Sequence, residues 1–205
     1  TQTAAGQTEV TSDPEAARIQ SVAEDAYVYG LPLVMTYGVM HAFSLDPTSS
    51  QYKAPMNHLQ CFASLATPAE KQIAFPNNDT LYCTAWMDLR AEPYVITVSA
   101  VEPSRYRSVM LTDMSSINYG LIGARTTGNG AGDYMVVGPD WKGEAPRGIK
   151  GIYRSTSQFT MALFRTEVRN AEDLEAVKKI QSGYRVRSLA AYQGKTPLIA
   201  PEIAF

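Results

Sequence analysis

The chain changes its period once, at Pro76-Asn77-Asn78-Asp79-Thr80-Leu81-Tyr82, and that change limits the folds open to it. Ahead of it, apolar residues recur at helical spacing. Behind it come short runs rich in aromatic and β-branched residues, each closed by turn residues. A chain patterned this way is mainly β (α+β): N-terminal helices, then an antiparallel β-sandwich or barrel-like domain, then one C-terminal helix.

Asp13 as N-cap with Pro14 at the first helical position predicts the start of a helix. Ile19, Val22, Ala23, Ala26 and Tyr27 form its apolar stripe, Gly30 ends it, and Pro32 opens a second helix through Phe43. Asp46 to Ser50 reads as a loop and 51–75 as irregular, with a short helix after Thr67-Pro68. Strands are predicted at Leu81–Leu89, Tyr94–Val98, Tyr106–Thr112, Tyr119–Ala124, Tyr134–Val137, Gly151–Arg154 and Thr160–Glu167. Asn170 caps a helix that Gly183 closes, with Ala171, Leu174, Val177 and Ile180 on its apolar face. The organisation is then a flexible leader over 1–12, a single domain over 13–190 (helical 13–45, β-rich 81–167, helical 170–183), and an extended linker over 191–205.

Composition excludes some functions. With 45% hydrophobic and 19% charged residues the chain is globular. A net charge of −2 and scattered Lys and Arg argue against nucleic-acid binding. The most apolar region, Leu31 to Phe43, is interrupted by Pro32, Thr36, Gly38 and His41, so membrane insertion is not expected. The small polar start, Thr-Gln-Thr-Ala-Ala-Gly, fits a mature export product and equally a trimmed fragment. The first of these points to a periplasmic or secreted protein. Cys61 and Cys83 form no C-x-x-C pair. A disulfide suits export, but Cys83 within a strand pattern reads better as a small buried hydrophobe.

Several segments together resemble one family. They are Tyr27-Val28-Tyr29-Gly30-Leu31-Pro32-Leu33-Val34, the Pro76–Tyr82 segment, Ala85-Trp86-Met87-Asp88-Leu89 with Glu92-Pro93, Arg105-Tyr106, Leu111-Thr112-Asp113-Met114, the run Gly123 to Gly128, and Val137 to Gly143. In this order they are similar to domain-of-unknown-function family 1254, over about residues 15–190. The resemblance implies a bacterial, often exported protein that continues into a second β-rich domain, family 1214, near where this sequence stops. That domain, or another chain, is the implied partner. The family name supplies no reaction.

Chemistry is sought first in Asn77-Asn78-Asp79-Thr80. Two amides, a carboxylate and a hydroxyl suit a hard cation such as Ca2+ or Mg2+, with Asn78, Asp79 and His58 as candidate ligands. The same residues also make an Asx-rich turn that launches a strand, which is the better-supported reading. Asp113, at a strand end, is paired with Asp79 as a candidate acid–base couple. Asn77, Asn118 and Arg125 are candidate substrate contacts, Arg125 for an anionic group beside the glycines of Gly128-Asn129-Gly130. The plainer reading of that loop is a hairpin connection. His41 lies on an apolar helix and reads as core. No G-x-S-x-G or H-E-x-x-H pattern is present. Two expectations follow: a cell-envelope enzyme on a small polar or anionic substrate, such as a metal-assisted hydrolase, or a non-catalytic binding or assembly module. They are told apart by whether Asp79, Asp113 and Arg125 converge on one cleft.

Overall fold

The structure is a computed structural model that describes residues 13–67 and 77–203. The expected leader and the short helix expected after Thr67-Pro68 fall outside those residues. Helix α1 spans Pro14–Met40, and its N-cap Asp13 accepts a 3.0 Å hydrogen bond from the Glu15 amide. The helix does not break at Gly30 as expected. It runs through Pro32 and passes into a π-helical turn, His41–Leu45. Proline removes one backbone hydrogen bond, yet its fixed φ is itself helical, so an interior proline weakens a helix without having to end it. The uninterrupted run Pro14–Leu45 is therefore long and apolar enough by length and composition to cross a membrane, contrary to the sequence reading. Only 11% of its most apolar window is buried.

Nine strands follow among the described residues: β1 Gln60–Cys61, β2 Thr80–Asp88, β3 Tyr94–Val98, β4 Arg107–Asp113, β5 Asn118–Gly123, β6 Gly132–Val137, β7 Ile149–Arg154, β8 Phe159–Glu167 and β9 Arg185–Ser188. They form a five-stranded sheet, β1-β2-β8-β4-β5, and a four-stranded sheet, β7-β6-β3-β9. All pairings are antiparallel except β6 with β7, which is parallel. The predicted strands from Leu81 to Glu167 are all present. The sequence reading missed β1 and β9, which are short and carry little alternation.

Alternation places the core between the two sheets. Cys83, Met87, Val109, Leu111, Ala162 and Phe164 face Ile96, Val98, Tyr134 and Val136 across it. Helix α2, Leu174–Gln181, starts from the expected Asn170 cap through a short 3-10 turn. Its Val177 closes one end of the core over Leu81 and Val168. After β9, helix α3 (Leu189–Tyr192) and the residues beyond it lie back on the domain: the buried Glu92 accepts from the amides of Ala190 (2.6 Å) and Leu198 (2.7 Å).

Cys61 and Cys83 are joined, which corrects the preferred reading of Cys83 as a free hydrophobe. The two are directly opposite in the β1–β2 register. The bond ties an otherwise weak two-residue edge strand to the sheet and closes a loop with a sequence separation of 22, contributing roughly 3 kcal/mol in the chain-entropy account.

Candidate functional site

In the five-stranded sheet the odd residues of β2 and β4 and the even residues of β8 face the core. The opposite set therefore makes the outer face. At one end of that face Trp86, Phe159 and Met161 are covered by Met40, Phe43 and Leu45 from the helical segment. At the other end the face is polar, and it is organised by the Asn77 turn.

Asn77 folds that turn locally. Its side-chain oxygen accepts from the amides of Asp79 (2.8 Å) and Thr80 (3.0 Å). Its side-chain nitrogen donates to the hydroxyls of Thr80 (2.7 Å) and Tyr82 (2.8 Å). The expected Asx turn is present, and its second product is a fixed Tyr82 phenol. Strand register then sets Tyr82 opposite Arg165, and Arg165 opposite Ser108. The Arg165 guanidinium lies 5.4 Å above the Tyr82 ring centre. Tyr106, one step beyond β4, donates to the Ser108 hydroxyl at 3.0 Å. Arg125, from the loop after β5, lies 5.6 Å above the Tyr106 ring.

The result is one surface with two guanidinium groups, two phenols, a serine hydroxyl and an amide. Among the described residues neither Arg125 nor Arg165 is in an ion pair. The buried Nε of Arg165 has no hydrogen-bond partner. Burial acts to raise the pKa of Tyr106, but hydrogen bonds with Ser108 and Arg125 and the charges of Arg125 and Arg165 together outweigh it and lower the value. The surface therefore stabilises negative charge. Nearby Arg105 is the contrast: it is buried and held by Asp173 (2.7 Å) and Glu102 (2.7 Å).

The other predicted residues lie elsewhere. Asp113 sits at the far end of β4, opposite Thr160, whereas Asp79 precedes Thr80, which pairs with Glu167. Arg107–Asp113 alone spans about 20 Å, so Asp79 and Asp113 do not meet. Asp113 is fully buried, and its carboxylate accepts from the amides of Ser115 (3.0 Å) and Ile117 (2.9 Å) and the hydroxyl of Thr156 (2.5 Å). It shapes the β4–β5 turn. Asn118 joins that turn by accepting from Thr112 (2.8 Å). His58 is exposed, its Nδ1 2.9 Å from the Met56 carbonyl. Its neighbour Asn57 pairs with Trp86 and Asp88, at the opposite end of β2 from Asn78 and Asp79. Among the described residues no three His, Cys, Asp or Glu side chains gather in a metal-sized group.

The glycine-rich segment is not a hairpin. It crosses from β5 in one sheet to β6 in the other. The Gly128 carbonyl accepts from the buried Arg107 at 2.8 Å, and the Asn129 amide nitrogen donates to the carbonyls of Glu102, Pro103 and Arg105. At Gly123 φ is +152°, and a Cβ there would come within 2.1 Å of the Arg107 carbonyl oxygen, so only glycine fits.

Of the residues on this polar face, Asn77 and Arg125 were named from sequence, and Tyr82, Tyr106, Ser108 and Arg165 were missed. Strand parity in Thr160–Glu167 marks Arg165 as outward, but its neighbours across the strands depend on register.

Comparison with known proteins agrees with this architecture. The VPA0106 protein of Vibrio parahaemolyticus has a similar solved structure, with a TM-score of 0.76 and 26% identity, over 90% of this chain and 42% of that one. This chain thus spans less than half the length of the Vibrio protein. An uncharacterised Burkholderia cenocepacia protein matches loosely, with a TM-score of 0.43 and 14% identity over 96% of this chain and 48% of that one. No curated protein matches the sequence. The family profile described as "Protein of unknown function (DUF1254)" matches residues 56–188, from the loop before β1 to the end of β9, and so takes in both sheets and the whole polar row. The chain belongs to the DUF1254 family.

Proposed function

We propose that this chain is a binding module of a protein exported to the cell envelope, and that it recognises a small ligand carrying a phosphate, sulfate or carboxylate group. Arg125 and Arg165 supply the charge, Ser108 donates a hydrogen bond from a hydroxyl held in place by the Tyr106 phenol, and Asn77 fixes Tyr82 beneath Arg165. The observation that carries the reading is that two guanidinium groups, each stacked on a phenol ring, share one face without a carboxylate partner among the described residues. Arginine matches such anions with its planar fork of donors. The Cys61–Cys83 disulfide supports an oxidising compartment. The hydrolase reading required Asp79 and Asp113 in one cleft, and no observation now carries it.

The test is calorimetric titration with inorganic phosphate, sulfate and succinate. The expected outcome is saturable binding of at least one of them, weakened about 10- to 100-fold when both arginines become alanine, as for the loss of charge-assisted hydrogen bonds. Binding that survives the double substitution, or no binding at millimolar anion, would overturn the proposal.

A further inference from the structure

The two sheets meet differently along their two sides. Along one side the edge strands β5 and β7 close on each other. The Tyr153 phenol donates to the Leu121 carbonyl at 3.3 Å, and its ring lies 2.5 Å from where a Cβ on Gly120 would stand. Along the other side the edge strands are β1 and β9, which do not pair. Beside them lies a cavity of about 440 Å³ that is open to solvent. Sites for small ligands are of this size, roughly 300–1,000 Å³. Leu59, Cys61, Phe62 and Tyr184 give it an apolar floor. Leu59, Cys61 and Tyr184 also pack in the main core, so the cavity reaches the interior between the sheets. Its β1 wall is fixed in advance by the Cys61–Cys83 bond and by the Phe62 amide, which donates to the Tyr82 carbonyl at 2.9 Å. A wall already in place costs a ligand little ordering.

The rim is cationic. Lys178 and Arg185 stand there, and no Asp or Glu lines the cavity among the described residues. Arg185 Nη1 donates to the carbonyls of Ser182 (2.5 Å) and Tyr184 (2.7 Å), and the residue is in no ion pair among the described residues. Lys178 reaches Glu175 at 2.7 Å, but Glu175 is 80% exposed, and such surface pairs hold weakly. The end of α2 would repel an anion if its carbonyls were bare. Protein donors occupy them: the Ser99 hydroxyl (3.0 Å) and Gly183 amide (3.1 Å) on Ile180, and the Ser182 hydroxyl (2.7 Å) on Lys179.

We propose that this cavity binds an amphiphilic anion, a single alkyl chain lying on the floor between β1 and β9 with its carboxylate at Arg185 and Lys178. The floor rewards burial of the chain and the rim rewards the charge, so the pair selects a molecule that has both. A strand from another chain fits less well, because β1 and β9 offer only two and four residues of edge. The proposal goes beyond the anion face, with which the cavity shares no lining residue.

The test is titration of the 205-residue chain with hexanoate, octanoate and decanoate, read by calorimetry and by amide chemical shifts. Affinity should rise about 2- to 4-fold per added methylene, with shifts concentrated at 59–63 and 178–185. Lys178→Ala with Arg185→Ala should weaken decanoate binding about 10-fold. Arg125→Ala with Arg165→Ala should leave it unchanged, whatever that pair does to phosphate, and so keeps the two sites apart. No binding at millimolar decanoate, no gain with chain length, or binding that survives the rim substitutions would overturn the proposal. Equal binding of decyltrimethylammonium would overturn it by removing the selection for negative charge. Shifts confined to 26–39 would also overturn it, since the chain would then only coat the exposed Tyr27, Val28, Tyr29, Val34 and Met35 of α1. So would a concentration-dependent dimer that protects 59–63, which would give the cavity to a second copy.

Discussion

The two ends of the five-stranded sheet carry polar clusters that look alike in sequence and differ in kind. At the Asp113 end each carboxylate oxygen has a protein donor, and the residue is fully buried. At the Asn77 end the amide is satisfied in the same way, but it serves a face whose two guanidinium groups have no anionic partner among the described residues. A satisfied polar group explains itself by the turn it holds. The unneutralised pair, next to Arg105 that is fully paired, is where the proposed anion would bind.

The largest effect should come from the satisfied end. Asp113→Ala removes three hydrogen bonds to a fully buried carboxylate, from the amides of Ser115 and Ile117 and the Thr156 hydroxyl, and should cost about 3–4 kcal/mol in urea unfolding. A loss below about 1 kcal/mol would break the contrast. Arg105→Ala, the paired arginine, should cost about 3 kcal/mol, because it leaves Asp173 without its buried counter-charge. Arg165→Met should instead be neutral or slightly stabilising, within about 1 kcal/mol, since it removes a buried N–H with no acceptor. Stability lost there as at Arg105 would mean that the two arginines are alike and both structural.

Two titrations sharpen the contrast further. Hydrogen bonding from Arg105 holds Asp173 at about 2, below its ordinary value of 3.8. Its folded pKa is depressed, so the stability it contributes is present above 3.8 and is lost as pH falls from there through about 2. Asp173→Asn should flatten the pH dependence of the urea midpoint across that window. On the cation-rich face, Tyr106 should ionise at lower pH than an ordinary phenol, ahead of Tyr94 and Tyr119, which burial pushes to about 12. Ultraviolet difference titration should show that early phenolate, and Arg125→Ala should raise its pKa by removing a hydrogen bond and a positive charge. An unmoved titration would separate Arg125 from the site.

Much of this architecture is legible in the order of residues alone. The Asn77 turn depends on hydrogen bonds two and three residues away, so its sequence suffices to write it. The strands from Leu81 to Glu167 declare themselves by alternation, and the helix caps at Asp13 and Asn170 by residue type. These are local terms, and the residues that express them are neighbours in the chain. Tertiary structure decided the rest. Antiparallel register alone sets Arg165 between Tyr82 and Ser108, holds Cys61 against Cys83, and keeps Asp79 and Asp113 a strand length apart. No local pattern encodes which strand lies beside which, because many pairings bury the same alternating face and the choice rests on the packing of the whole core. The same holds for α1: sequence supplied an apolar helix with a proline in it, and only the fold decided that its middle emerges from the sheet uncovered.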